Sequence, residues 1–309
     1  MTEQHELKET DEPQRVREGV NAIKGQEPNM RPGGAGGVRM SATEQSPTSA
    51  DPHPLVFTWL GHATVRIEQD GVSLITDPVL VNDIGPIHRY ARPPDPADWA
   101  GVDLVLISHS HLDHLDLRSL SMLGPATPIV VPAGAAGLVR RAGHSRVAEL
   151  AAGESMTFDT LSIRAVPALH SGFRPPFGPR ATAIGYVIHG HHVVHFAGDT
   201  ELSPAMSELS ADGIDVSLLP VGGWGPTLRG GHLDPAKAVE ALRLIQPRMA
   251  IPIHWGTFWP RGLRRFRRRL FERPGFEFAE LAEASGASVA IATLQPGERV
   301  TFPLLEGNA

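Results

Sequence analysis

Residues 107–116 read Ile-Ser-His-Ser-His-Leu-Asp-His-Leu-Asp, three histidines and two aspartates directly after an apolar run. Neutral imidazoles and carboxylates are the donor set of Zn²⁺ and related divalent ions. His109 and His111 are two residues apart and can face one point. Asp113 and His114 lie past the turn and can face a second point nearby. Two points a few ångströms apart suit a pair of ions that activate a shared water and hold both oxygens of a displacement.

Such a centre needs further ligands, and other strand ends offer them. His170 follows Val166-Pro167-Ala168-Leu169, Asp199 follows Phe196-Ala197-Gly198, and His254 follows Ile251-Pro252-Ile253. Each alone is weak evidence; together they form a constellation. His189, His191, His192 and His195 crowd one hairpin and are expected to flank its turn in solvent. His5, His53, His88 and His144 have no supporting context. His62, in Gly-His-Ala-Thr, and His232, in Gly-His-Leu-Asp-Pro, stay open between a structural and a functional role.

These positions need strands to carry them. Val56–Leu60, Ala63–Glu68 and Val72–Thr76 read as strands, the last two joined by the turn signal Gln69-Asp70-Gly71. Val102–Ser108 reads as a strand buried on both faces. Further strands are expected at Ser155–Phe158, Leu161–Val166, Ala181–His189, His192–Ala197, Val216–Pro220, Met249–Ile253, 288–293 and 299–303. Helices are expected at Leu117–Leu123, Gly134–Ala142, 261–272 and 277–285. Another is expected at Pro235–Ile245, capped by Asp234. Strands with a few helices, then the same again, point to an α/β (α+β) fold: two mixed sheets packed together with helices outside, a four-layer αββα sandwich.

The chain has 309 residues, 41% of them apolar and 20% charged, an ordinary globular composition. Its net charge of −6 argues against a general nucleic-acid binder. It has no cysteine, so disulfides and thiolate sites are excluded and a metal must be held by His, Asp or Glu. Residues 1–53 are polar and aperiodic and are expected to form a disordered tail; residues 54–309 are expected to form the functional domain. The charged start and the lack of an apolar run of about 18 residues point to a cytoplasmic protein. Arg261–Arg273 carries seven Arg against one Glu, with Leu263, Phe266 and Leu270 at helical spacing as a core stripe. Its arginines could meet anionic lipid, giving peripheral membrane contact.

Across roughly 55–305 the chain resembles the metallo-β-lactamase superfamily, through the His-x-His-x-Asp-His signature. Within it, the chain looks most like the branch of N-acylphosphatidylethanolamine phospholipase D and its bacterial relatives. The supporting motifs are Trp59–Thr64, Thr76–Pro78, Ala91–Pro94, Phe196–Thr200, Gly231–Val239 and Ile253–Phe258. The resemblance implies two divalent ions, with zinc first in expectation and manganese or iron as alternatives. One would take His109, His111 and His170, the other Asp113, His114 and His254, with Asp199 between them. It also implies an orienting role for Asp77, a place near the substrate for His232, and a substrate groove lined by Arg174–Arg180. Asp113 and His232 are the expected catalytic residues. The broad-spectrum zinc β-lactamases place a cysteine at the second metal, so that activity is not expected here.

The expected function is a binuclear metal-dependent hydrolase of a small-molecule or lipid phosphodiester. One alternative is a metal-dependent lactonase resembling ascorbate-6-phosphate lactonase. Another, of a different class, is a non-catalytic metal- or anion-binding protein, which the intact ligand set argues against.

Overall fold

Leu104 and Leu106 point to one side of a short strand, Val105 to the other, and all three are buried. Leu104 and Leu106 join a core with Phe57, Ile163, Tyr186 and Phe196, while Val105 joins a second core with Leu120 and Val139. A strand buried on both faces needs a layer on each side, and the rest of the chain supplies those layers.

In the computed structural model, residues 54–225, 230–263, 265 and 268–303 are described. The expected tail, residues 1–53, lies outside them. The chain opens with β1 (Leu55–Gly61), β2 (Thr64–Gln69), β3 (Val72–Thr76), β4 (Asp83–Ile84), β5 (Ile87–Arg89) and α1 (Pro96–Trp99). It continues with β6 (Leu104–Leu106), α2 (Leu117–Leu123), β7 (Ile129–Pro132), α3 (Ala136–Arg141), β8 (Val147–Leu150), β9 (Ser155–Phe158) and β10 (Leu161–Pro167). Next come β11 (Ile184–His189), β12 (Val193–Phe196), a 3-10 helix (Pro204–Asp212), β13 (Val216–Pro220), α4 (Pro235–Ile245) and β14 (Met249–Ile253). The last elements are β15 (Phe258–Pro260), α5 (Arg268–Glu272), α6 (Pro274–Ala284), β16 (Ala290–Ile291) and β17 (Arg299–Phe302).

Two sheets of seven strands have the orders β17-β1-β2-β3-β6-β7-β8 and β16-β14-β13-β12-β11-β10-β9. Their facing sides share the larger core, in which Phe57, Ile67 and Leu106 meet Ile163, Tyr186 and Val194. Helices α2 and α3 cover the outside of the first sheet through Leu120 and Val139. Helices α4 and α6 cover the second through Leu242, Ile245 and Phe278. The architecture is the expected αββα sandwich. As expected, Asp234 caps α4, its carboxylate accepting the Lys237 N–H at 2.9 Å.

Strand direction places the site. β3, β6, β7 and β8 are parallel, as are β12, β13, β14 and β16. Paired antiparallel steps align β1 with β3 and β10 with β12. The loops beyond the C-terminal ends of β1, β3, β6, β10, β12, β13 and β14 hold His62, Asp77, the 109–114 cluster, His170, Asp199, His232 and His254. Ligands of open α/β sheets gather at such strand ends.

The basic stretch departs from expectation. Residues 261–263 form a turn after β15, and the helix covers only Arg268–Glu272. Pro260 and Gly262 interrupt the helical pattern there, and the Leu263 carbonyl accepts the Trp259 indole N–H at 3.2 Å. Leu263 and Leu270 are exposed rather than in a core stripe; Phe271 is the buried residue. Phe266 lies outside the described residues.

Candidate metal centre

The structure brings His109, His111 and His170 together, and separately Asp113, His114 and His254 with His62; within each group one ligand-type atom per residue lies within 4.8 Å of the others. Nε2 of His109 and of His170 stand 3.0 and 3.1 Å from Nδ1 of His111. Nε2 of His114 and of His254 stand 3.2 Å apart. Asp199 lies between the groups: Oδ1 is 3.1 Å from His254 Nε2, while Oδ2 is 3.2 Å from His114 Nε2 and 3.9 Å from His170 Nε2. His232 Nε2 is 3.3 Å from the same Oδ2.

Hydrogen bonds behind the rings fix which nitrogen carries the proton. A carbonyl can only accept, so His170 donates Nδ1–H to Gly231 O at 2.7 Å and His254 donates Nδ1–H to Gly222 O at 2.9 Å. His114 donates Nδ1–H to Asp77 Oδ2 at 2.7 Å. The Ser108 hydroxyl spends its one hydrogen on Asp77, so its oxygen accepts Nδ1–H of His109 at 3.0 Å. In their neutral form these four imidazoles therefore turn unprotonated Nε2 atoms inward, as metal-ligating histidines do. Asp199 Oδ1 is buried with no hydrogen-bond partner. Lone pairs crowded at this spacing repel unless a cation lies among them, so the residues fit divalent ions.

The electrostatics agree. Burial pushes His109, His111 and His170 toward the neutral form, His170 to about 4. Burial also works against ionisation of Asp199 and Asp113, but His254 and His114 outweigh it for the first, and His114 and His62 for the second. Both carboxyls sit well below their ordinary range. At His114 burial is outweighed by Asp199, Asp113 and Asp77, so in the absence of an ion these carboxylates draw a proton to the ring, at the Nε2 position a divalent ion would take.

Backbone geometry supports the aim of these side chains. Asp77 and His254 have φ of 34° and 64°, in the left-handed region that non-glycine residues rarely adopt. Gly198, at φ 61°, precedes Asp199, and a Cβ there would meet Ser108 Cβ at 2.6 Å. A Cβ on Gly231 would meet His170 Nδ1 at 2.8 Å, so only glycine lets that carbonyl reach the ring.

Asp116 is not at the centre, although it closes the ten-residue cluster. It caps α2, accepting the Ser119 N–H at 2.9 Å. In the hairpin, His195 contradicts its expected solvent position: it is buried and its Nδ1 lies 2.9 Å from Ser217 Oγ. The cause is β13, which pairs beside β12 and turns that edge into sheet interior. Three residues support the centre in ways the sequence left open for His62, placed in the groove for Arg174, and did not mark for Trp224. His62 Nε2 and Trp224 Nε1 both donate to Asp113 Oδ2, at 3.0 and 2.8 Å. Arg174 is buried and donates to the carbonyls of Ser110 and Leu115, both at 2.8 Å, bracing the cluster at two points. The signal for His62 is a Gly-His turn at a strand end, the placement the ligand-type residues share.

Fold and site together define a metal-dependent hydrolase of the four-layer sandwich class. Residues 74–255 match the beta-lactamase superfamily domain, and the chain belongs to that superfamily. A metal-dependent hydrolase of Methanopyrus kandleri is 34% identical over 257 residues, covering 78% of this chain and 97% of the relative. An N-acyl-phosphatidylethanolamine-hydrolyzing phospholipase D of Caenorhabditis elegans is 33% identical over 230 residues, covering 66% of this chain and 64% of the relative. Among solved structures, a metallo hydrolase of Ignicoccus hospitalis superposes with a TM-score of 0.65 at 24% identity, covering 82% of this chain and all of that one.

Proposed function

We propose that the chain is a binuclear hydrolase of phosphodiesters, with a lipid-like ester as its substrate class. The observation that carries the reading is the pair of ligand groups, His109-His111-His170 and Asp113-His114-His254, spanned by Asp199. Bound divalent ions, zinc first among the candidates, supply a water of lowered pKa and positive charge opposite the reacting phosphoryl oxygens. The chain's own residues do the rest. Asp113 stays ionised, because the neighbouring His114 and the His62 hydrogen bond outweigh its burial, and contributes charge rather than a proton. His232, 22% exposed at the mouth, can give a proton to the departing alkoxide. In the balanced step, the water gives up one proton to solvent as its oxygen bonds to phosphorus, the ester P–O bond breaks, the alcohol leaves with the proton from His232, and solvent returns a proton to that ring. His232 also groups geometrically with His170 and Asp199 as a ligand trio. Its greater exposure, and two triads complete without it, favour the proton-donor role.

The substrate class rests on the rim. Leu112 and Leu169, each next to a ligand histidine, are 41% and 50% exposed, and Trp224, bonded to Asp113, is 42% exposed. Phe177, on the loop that Arg174 anchors to the cluster, is 96% exposed. An apolar rim around a charged centre suits an amphiphile. The names of the phospholipase D relatives point the same way. Exposed Leu263 and Leu270 among the arginines of residues 261–273 support contact with an anionic lipid surface. No described helix is long and apolar enough to cross a membrane.

The test is a substrate panel on metal-loaded protein: bis-p-nitrophenyl phosphate, N-acylphosphatidylethanolamine in zwitterionic and anionic vesicles, and a set of lactones. The reading expects phosphodiester turnover, faster on anionic vesicles. Lactone turnover without phosphodiester turnover would make the chain a lactonase. No turnover at all with both metals bound would leave a binding protein.

A further inference from the structure

His62 is a buried imidazole at the centre that differs from the ligands in one respect. The ligand imidazoles His109, His114, His170 and His254 turn a lone pair inward, whereas His62 turns an N–H toward Asp113, since that carboxylate oxygen can only accept. We infer that His62 is the positioning residue of the second metal's ligands, setting Asp113 through its side chain and His254 through its backbone. This rests on the two-metal reading above.

The contacts carry the inference. The His62 side chain holds Asp113 Oδ2 at 3.0 Å, and its carbonyl accepts the backbone N–H of His254 at 2.8 Å. Its ring lies against the His254 ring, centroids 3.9 Å apart, and 5.1 Å from that of His114. Three second-group ligands are thus in direct contact with one residue. Among the described residues, His62 makes no hydrogen bond, ion pair or ring contact with His109, His111 or His170.

His62 is itself held firmly. Its φ is 55°, in the left-handed region that non-glycine residues rarely adopt. Two further partners fix it there: its N–H donates to Thr257 Oγ1 at 2.7 Å, and its carbonyl also accepts the Trp59 indole N–H at 2.9 Å. A strained backbone pinned by several partners, and aimed at two ligands, marks a site where placement matters. Residues that support metal ligands in this way change metal affinity by about 10- to 100-fold when removed.

The experiment is a cobalt titration of chelated protein, read by ligand-field absorption, with melting of the metal-free protein alongside. His62→Asn tolerates the left-handed backbone, but its amide falls short of Asp113. The first equivalent should bind as in wild type, the second about 10- to 100-fold more weakly, with melting of the metal-free protein little changed. His62→Gln, long enough to donate, should recover part of the loss. Equal binding of both equivalents by His62→Asn, or equal weakening of both, would overturn the inference. Wild-type protein that takes up one equivalent only would overturn the two-metal reading instead. Ring ¹⁵N shifts of the wild-type, zinc-loaded protein give a variant-independent check: His62 should be the Nε2–H tautomer without a metal shift, and a metal-shifted His62 signal would make it a ligand.

Discussion

His114 gives its Nδ1 proton to Asp77 across 2.7 Å, and neither side chain has any exposure. Asp77 also accepts the Ser108 N–H at 2.7 Å, so one carboxylate aligns the start of the cluster and its last histidine together. Asp77→Asn keeps the shape but presents N–H groups where acceptors are needed, against either Ser108 or His114. Metal affinity should fall about 10- to 100-fold while the fold persists. Competition of the variant and the wild type with a chromophoric chelator measures this, and equal affinities would contradict it.

His232 and His254 look alike in sequence, each a histidine in a Gly-containing loop. His254 turns Nε2 toward His114 and Asp199 from a buried position, whereas His232 stands 22% exposed at the mouth with its Nε2 against Asp199. His232→Ala should retain both metals and lose about 10²- to 10⁴-fold in kcat. His254→Ala should lose metal first. Metal content and turnover measured on the same preparations separate the two, and metal loss from His232→Ala would make that residue a ligand.

Burial lowers His195 from 6.5 to about 4 in the folded chain. Above pH 6.5 the ring is neutral folded or unfolded, so it adds no pH dependence there. As pH falls from 6.5 toward 4 the unfolded chain takes up a proton the folded chain refuses. Stability then drops by about 3 kcal/mol through this group and levels off below pH 4. Melting of metal-free wild type and His195→Gln across that window should show a shallower acid slope for the variant. Parallel slopes would show that His195 titrates normally.

Much of this was legible because local pattern and tertiary role coincide. Val72–Thr76, Ser155–Phe158, Val216–Pro220 and Met249–Ile253 are strands with the bounds their sequences imply. Each ligand type after an apolar strand lands at the strand-end edge, because strand direction carries it there. What was lost depends on long-range pairing. His62 reaches Asp113 across 51 positions and Trp224 reaches it across 111, separations with no local signature. His195 misled because its burial comes from β13, a neighbour strand that hairpin reasoning does not see. β7 and β8 were missed because Ile129–Pro132 runs straight into a Pro- and Gly-interrupted apolar stretch, and Val147–Leu150 is four residues long. The 261–263 turn misled because arginines and leucines at helical spacing outweighed Pro260 and Gly262.

The central claim is that seven side chains, His109, His111, Asp113, His114, His170, Asp199 and His254, hold two ions. Elemental analysis of protein purified without chelator, and again after reconstitution, tests it most directly. The account predicts close to two divalent ions per chain in the reconstituted protein. A ratio that stays at one after reconstitution would contradict it.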